Sequence, residues 1–263
     1  MRIALAGGTG LMGTLVGTEA RARGHDVVVL ARSHGVDLMT GAGVDDAVRG
    51  ADVVIDVTNV GTLKADDSVD FFDAVTRTLL AAGQRADVPH HVALSIVGVD
   101  RAPVGYYAGK RAQEVAIENG PLEWSTLRAT QFHEFAPQMY ASARLGPLHI
   151  APKMRTQPIA AREVAARLVD IAEGPARGGY LEIAGPREES LVDMMRRWAA
   201  ATGRRGWMPA VALPGRFGKA QRDGSLLPTD TIEGSAGGLG TVDRGTVDRG
   251  TETFADWLRR TTG

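Results

Sequence analysis

The stretch Ile3-Ala4-Leu5-Ala6-Gly7-Gly8-Thr9-Gly10-Leu11-Met12-Gly13 opens the chain and decides its fold. The four apolar residues read as a buried strand. Leu11, Leu15, Val16 and Ala20 then fall on one face of a helix. A strand, a glycine turn and a helix in that order make a phosphate-binding corner. The glycines let the backbone turn tightly and approach a pyrophosphate, and the helix N-terminus offers free N–H groups and a positive dipole end. Gly7, Thr9, Gly10, Leu11, Met12 and Gly13 are therefore candidate cofactor contacts. A glycine motif alone says little, and it is the flanking strand and helix that give this one weight.

Working outward, strand and helix signals alternate. Val27–Leu30, the short Val36–Met39, Val53–Val57, Val92–Val97 and Trp124–Arg128 read as strands. Helical stretches lie between them, near Asp67 to Gly83 and near Tyr107 to Glu118. Apolar strands separated by helices predict a doubly wound parallel α/β sheet, Rossmann-like, over residues 1–130. Residues 131–160 have weak periodicity. A helix from Arg162 to Glu173, a strand Tyr180–Ala184 and a helix from Glu188 to Thr202 follow. Residues 203–250 are rich in Gly, Pro and Arg, with a short helix expected near Phe217, and Phe254, Trp257 and Leu258 anchor a terminal helix. We read 131–263 as a smaller lobe packed on the core and supplying a substrate pocket. Gly240–Arg244 repeats at once as Gly245–Arg249, which is too short and polar for a solenoid and reads as a surface-loop duplication.

Composition bounds the function. The chain has 263 residues, 44% hydrophobic and 23% charged, with a net charge of −1, so no global field recruits nucleic acid or an anionic membrane. Cysteine is absent, which removes disulfides, thiolate metal sites and a cysteine nucleophile. No apolar run approaches the roughly 20 residues of a membrane span, and glycines interrupt any signal-peptide core. These features fit a cytoplasmic protein acting on a small molecule, as a monomer or small homo-oligomer. No histidine/carboxylate spacing suggests a metal, and no Gly-x-Ser-x-Gly elbow suggests a hydrolase.

Two further groups of residues carry chemistry. An acidic residue after the second strand would bind a ribose 2′-OH. This chain has Leu30-Ala31-Arg32-Ser33-His34 instead, where Arg32 can pair with a 2′-phosphate and Ser33 can add a hydrogen bond. NADP(H) is favoured over NAD(H). Tyr106-Tyr107-Ala108-Gly109-Lys110 contains Tyr-x-x-x-Lys, whose ends share a helix face. Lys110 can lower the phenol pKa and hold a nicotinamide ribose hydroxyl, and Tyr106 can give a proton to a carbonyl oxygen as hydride arrives at carbon. Ser95, on the strand just upstream, could hydrogen-bond the same oxygen. Tyr107, three residues from Lys110, could reach the same region. His133 and Glu134 follow the Trp124–Arg128 strand and could face a substrate.

Gly-x-x-Gly-x-x-Gly at Gly7, Gly10 and Gly13, with Arg32, Ser95 and Tyr106/Lys110, resembles the short-chain dehydrogenase/reductase superfamily in its extended and atypical forms. Leu127-Arg128-Ala129-Thr130-Gln131-Phe132 and Gln157-Pro158-Ile159-Ala160 followed by Arg162-Glu163-Val164-Ala165 resemble the NmrA-like atypical branch. Ala129 departs from the proline that relatives often carry there. The resemblance implies a Rossmann fold binding NADP(H), with Thr58 and Asn59 touching the cofactor, and with Gln131, Phe132 and His133, beside Tyr107, on the substrate side. The branch includes members that bind the dinucleotide without turnover, and it is the Tyr-x-x-x-Lys kept at Tyr106 and Lys110 that points to an NADPH-dependent reductase of a carbonyl or activated double bond. The alternatives are a non-catalytic NADP(H)-binding redox sensor and an isomerase or epimerase with bound NADP.

Overall fold

The computed structural model describes residues 1–146, 148–228, 230 and 247–263. Its centre is a seven-stranded parallel sheet, whose strands we number in chain order: β1 (Arg2–Ala6), β2 (Asp26–Leu30), β3 (Val53–Asp56), β4 (His91–Ile96), β5 (Trp124–Ala129), β6 (Gly179–Ala184) and β7 (Asp248–Arg249). They lie in the order β7-β6-β5-β4-β3-β1-β2. β1 pairs in parallel with β2 on one side, Ala6 opposite Leu30, and with β3 on the other, Ala6 opposite Asp56. The chain thus winds away from β1 in both directions. The carboxyl ends of β1 and β3 flank the switch point where such sheets bind ligands.

The helices are α1 (Leu11–Ala22), α2 (Val44–Val48), α3 (Ala65–Arg85), α4 (Tyr106–Glu118), α5 (Phe135–Ser142), α6 (Ala161–Glu173), α7 (Leu191–Ala201), α8 (Gly215–Asp223) and α9 (Phe254–Thr262). None among the described residues is long and apolar enough to cross a membrane. α3 turns Phe72, Val75, Leu79 and Ala82 inward at helical spacing. Val75, Leu79 and Ala82 share one core with Ala4, Ala6 and Val54 of the sheet and Val44 and Val48 of α2. The inner strands β1, β3 and β4 are buried on both faces, which is why their sequences run largely apolar without alternation.

The expected strand Val36–Met39 is absent, so β2 is the sheet edge. Asp37 makes a turn there instead. Its carboxylate accepts the Met39 amide at 2.9 Å and its carbonyl the Gly41 amide at 2.8 Å. Such local side-chain bonding competes with a ladder. The inward face of α1 also differs from expectation: Met12, Gly13, Val16, Gly17 and Ala20 are buried, whereas Leu11 is 49% exposed.

The chain divides into two compact units. The first holds Met1–Arg128 and Arg162–Leu181, so most of α6 belongs with it although the sequence reading put that helix in the second lobe. The second holds Ala129–Ala161 and continues from Glu182. Its weakly periodic start contains α5 and two-residue strands. Arg144–Leu145 pairs antiparallel with Leu148–His149, Arg155–Thr156 antiparallel with Glu189–Ser190, and Ala151–Pro152 in parallel with Ala210–Val211. Residues 240–246 of the tandem repeat lie outside the described residues. The repeat's last two residues form β7.

Candidate active site

The glycine corner forms as its sequence requires. The Gly7 amide donates to the Leu30 carbonyl, and the Gly10 amide to the Gly7 carbonyl at 3.1 Å. Gly7 has φ +78°, a left-handed conformation that favours glycine. Gly13 is buried where a Cβ would stand 2.2 Å from the Gly7 oxygen, so α1 reaches the turn only because a side chain is missing. Gly10, by contrast, is exposed, and a Cβ there would meet only the Gly7 oxygen, at 3.6 Å. As the N-cap of α1, Gly10 has no side chain to offer the first-turn N–H groups. This tight, open helix N-terminus fits the diphosphate of a dinucleotide. Thr9 and Leu11 are exposed beside it, and Met12 packs inward.

Two segments border the corner. Arg32 and Ser33 are exposed in a 3-10 turn, Arg32–His34, just past β2, and Ser33 Oγ lies 3.0 Å from His34 Nδ1. On the other side, the Val57 amide donates to the Ala6 carbonyl at 3.1 Å. Backbone atoms of Thr58 crowd the position of a Gly7 Cβ, at 3.0 Å. Thr58 donates through its amide (2.9 Å) and hydroxyl (2.7 Å) to Asp56 Oδ1. Asn59 is exposed, and its Oδ1 accepts the Tyr106 phenol at 2.7 Å.

α4 supplies the rest. Ser68 of α3 donates its hydroxyl to the Tyr106 carbonyl at 3.0 Å, fixing the start of α4. Lys110 is buried, and its Nζ donates to the Leu94 carbonyl at 3.0 Å, to Gln113 Oε1 at 2.9 Å and, longer, to the Thr58 carbonyl at 3.4 Å. The ammonium also lies 4.4 Å from the centre of the Phe72 ring. Burial lowers its pKa to about 8, against Asp56 and Glu114, which raise it. The sequence expectation that Lys110 lowers the phenol's pKa is not met. Burial, then Tyr107 and Asp56, hold Tyr106 above the ordinary tyrosine value. The phenol therefore stays protonated, as a donor. Tyr107 is buried, its ring 6.3 Å from that of Tyr106.

Ser95 goes elsewhere. Its hydroxyl donates to Glu114 Oε1 at 2.7 Å, inside a buried cluster. Arg128 grips both Glu114 oxygens at 2.8 Å, and Arg111 adds a bond to Oε2 at 3.0 Å. The structure joins Tyr106 to Asn59 and Lys110 to Thr58, and it commits Ser95 to this ion cluster. Gln131, Phe132 and His133 lie in the second unit. Gln131 Oε1 accepts the Thr156 hydroxyl at 2.6 Å, and Phe132 bridges to Ile159. His133 is fully buried against Phe254 and Trp257, with Nε2 3.1 Å from the Glu252 carbonyl. Glu134 accepts the Trp257 indole N–H at 3.1 Å.

Sequence reasoning did not single out Asp56, Gln113 and Glu114. Their signal was present: Asp56 is a carboxylate within the otherwise apolar run Val53–Val57, and Gln113 and Glu114 stand three and four residues past Lys110.

No curated protein matches the sequence. Among solved structures, a nucleoside-diphosphate-sugar epimerase from Staphylococcus aureus aligns over 98% of this chain and 100% of its own, with TM-score 0.67 and 16% identity. The UDP-glucose 4-epimerase of Thermus thermophilus, in complex with NAD, aligns over 100% of this chain and 94% of its own, with TM-score 0.64 and 17% identity. A short-chain dehydrogenase/reductase superfamily protein from Agrobacterium tumefaciens with bound NAD aligns over 82% and 86%, with TM-score 0.63 and 18% identity. At these identities the likeness is one of fold. The family described as NAD(P)H-binding matches residues 34–175, more than half of the chain. The chain belongs to this NAD(P)H-binding family.

Proposed function

We propose that the protein is an NADPH-dependent reductase of the NmrA-like branch, acting on a carbonyl or activated double bond of a small molecule. The observation that carries this reading is the Tyr106/Lys110 pair on α4, tied through Asn59 and Thr58 to the segment that borders the glycine corner. Gly7, Gly10 and Gly13 would hold the diphosphate, Thr58 and Asn59 the neighbouring ribose, and Lys110 the nicotinamide ribose. Arg32 and Ser33, exposed where an NAD-selective site would carry an acid, would take the 2′-phosphate. The nicotinamide, when bound, supplies the hydride. Tyr106, protonated at neutral pH, gives its proton to the substrate oxygen once it leaves Asn59.

One observation favours a second reading, a dinucleotide-binding sensor without turnover. Ser95 is engaged by Glu114, so this hydroxyl does not accompany Tyr106. Calorimetric titration with NADPH and NADH, on the wild type and Arg32→Ala, tests the cofactor. NADPH affinity is expected to fall at least tenfold in the variant, and NADH affinity less than twofold. A carbonyl-substrate screen with Tyr106→Phe then separates the readings. Turnover lost by about 100-fold or more supports the reductase. Tight NADPH binding without turnover in the wild type supports the sensor.

A further inference from the structure

The inward face of α4 carries a buried polar bridge that the proposed reaction does not use. Gln113 and Asp56 are both 0% exposed. Gln113 Oε1 accepts from Lys110 Nζ at 2.9 Å, and Gln113 Nε2 donates to Asp56 Oδ2 at 2.8 Å. An ammonium only donates and a carboxylate only accepts, so the partners themselves dictate which way the amide points. Asp56 Oδ1 is already engaged by Thr58. One neutral amide therefore separates the ammonium from the carboxylate and satisfies both. Without it, the two buried charges would close onto each other, because an unpartnered buried charge is costly.

We propose that Gln113 is the positioning residue of this site: by bridging Lys110 to Asp56 it keeps the ammonium on the Leu94 and Thr58 carbonyls instead of paired with Asp56. The proposal rests on the reading that Lys110 serves a bound dinucleotide. The groups facing Lys110 are Asp56 from β3, Gln113 and Glu114 from α4, the Phe72 ring from α3, the Leu94 carbonyl from β4 and the Thr58 carbonyl just past β3. His91 of β4, in turn, lies within the field of Asp56.

The chain has four lysines, Lys64, Lys110, Lys153 and Lys219. Labelling with ε-13C-lysine therefore gives four side-chain signals, with that of Lys110 assigned by its loss in Lys110→Met. Titrating them without cofactor reads the Lys110 ammonium directly, and NADPH calorimetry at pH 7 reads its use. In Gln113→Met, Lys110 is expected to swing to Asp56. Its midpoint then rises from near pH 8 by about one unit or more. The NADPH Kd rises about tenfold. Gln113→Asn, one methylene too short to span both partners, provides the same test if the Met variant does not fold. A folded variant with unchanged midpoint and unchanged Kd, lowered only in Tm, overturns the proposal, since that is what a merely structural glutamine would give. If the wild type binds neither NADPH nor NADH, the dinucleotide reading falls, while the lysine titration still decides whether the bridge holds Lys110.

Discussion

A methyl group on Gly13 would stand 2.2 Å from the Gly7 oxygen and 2.4 Å from the Gly8 Cα. Both are backbone atoms of a tight turn, so neither gives way as a flexible side chain would. Gly13→Ala is expected to cost about 1–3 kcal/mol, the range of an overpacked core. Gly10→Ala is the informative partner. Gly10 has φ −80°, and its Cβ would meet nothing closer than 3.6 Å, so the fold tolerates alanine. If a diphosphate approaches this backbone, the same methyl group blocks it. Thermal denaturation and NADPH titration are thus expected to split: Gly13→Ala loses several degrees of Tm, whereas Gly10→Ala keeps its Tm and loses affinity by at least tenfold. Wild-type affinity in Gly10→Ala would remove the phosphate reading of the corner. At this scale the sequence was legible where a residue's neighbours are local, as in the glycine turn and the four-residue spacing of Tyr106 and Lys110. It was illegible where the partner comes from a distant element. Alternation puts Ser95 on one face of β4, but nothing near it in sequence says that Glu114 covers that face.

Between elements, α4 is tied to β5 by charge. Glu114 has no exposed side-chain surface and Arg128 has 3%, and two bonds of 2.8 Å join them. Breaking such a pair leaves a buried charge with too few partners. Glu114→Leu is therefore expected to lower stability by about 3–5 kcal/mol, and the double variant Glu114→Leu/Arg128→Leu by clearly less than the sum of the singles. Urea denaturation of the four proteins measures the coupling, and simple additivity would show that the cluster does not join helix to strand. The same elements show why some of the fold could be read ahead. β1 to β5 are apolar runs bounded by turns, and each was legible. Val36–Met39 had a strand's length and three apolar side chains, yet Asp37 bonds the backbone two residues on and makes a turn. The second unit's two-residue strands were beyond reach, because so short a strand has no period and is defined only by its partner.

For the whole molecule, buried titratable groups set the pH range of stability. Burial, aided by His91, lowers the His90 pKa to about 4. Burial also lowers that of His91, partly opposed by Asp56, and neither His91 ring nitrogen has a hydrogen-bond partner among the described residues. Below the unfolded histidine pKa of about 6.5, the unfolded chain takes up protons that the native state refuses. Stability therefore falls as pH drops from about 6.5 towards 4. Glu134, raised mainly by its burial, works weakly the other way, since the native state protonates it first. Asp100, Glu173, Glu188, Asp223 and Asp256 are lowered, so their contribution is lost mainly below about pH 4. On the alkaline side, Lys110 with its pKa near 8 is neutral in the native state while still charged in the unfolded chain. Stability therefore rises between about pH 8 and the unfolded lysine value of about 10.5. The raised tyrosines, Tyr106 and Tyr180, reverse this above about pH 10. Calorimetric Tm values are thus expected to drop by about 5 °C between about pH 7 and 5. The double variant His90→Gln/His91→Met should flatten that limb, with the introduced amide still able to bond the Ser125 hydroxyl that His90 meets at 2.9 Å. An equal slope in the variant would assign acid sensitivity to the carboxylates instead.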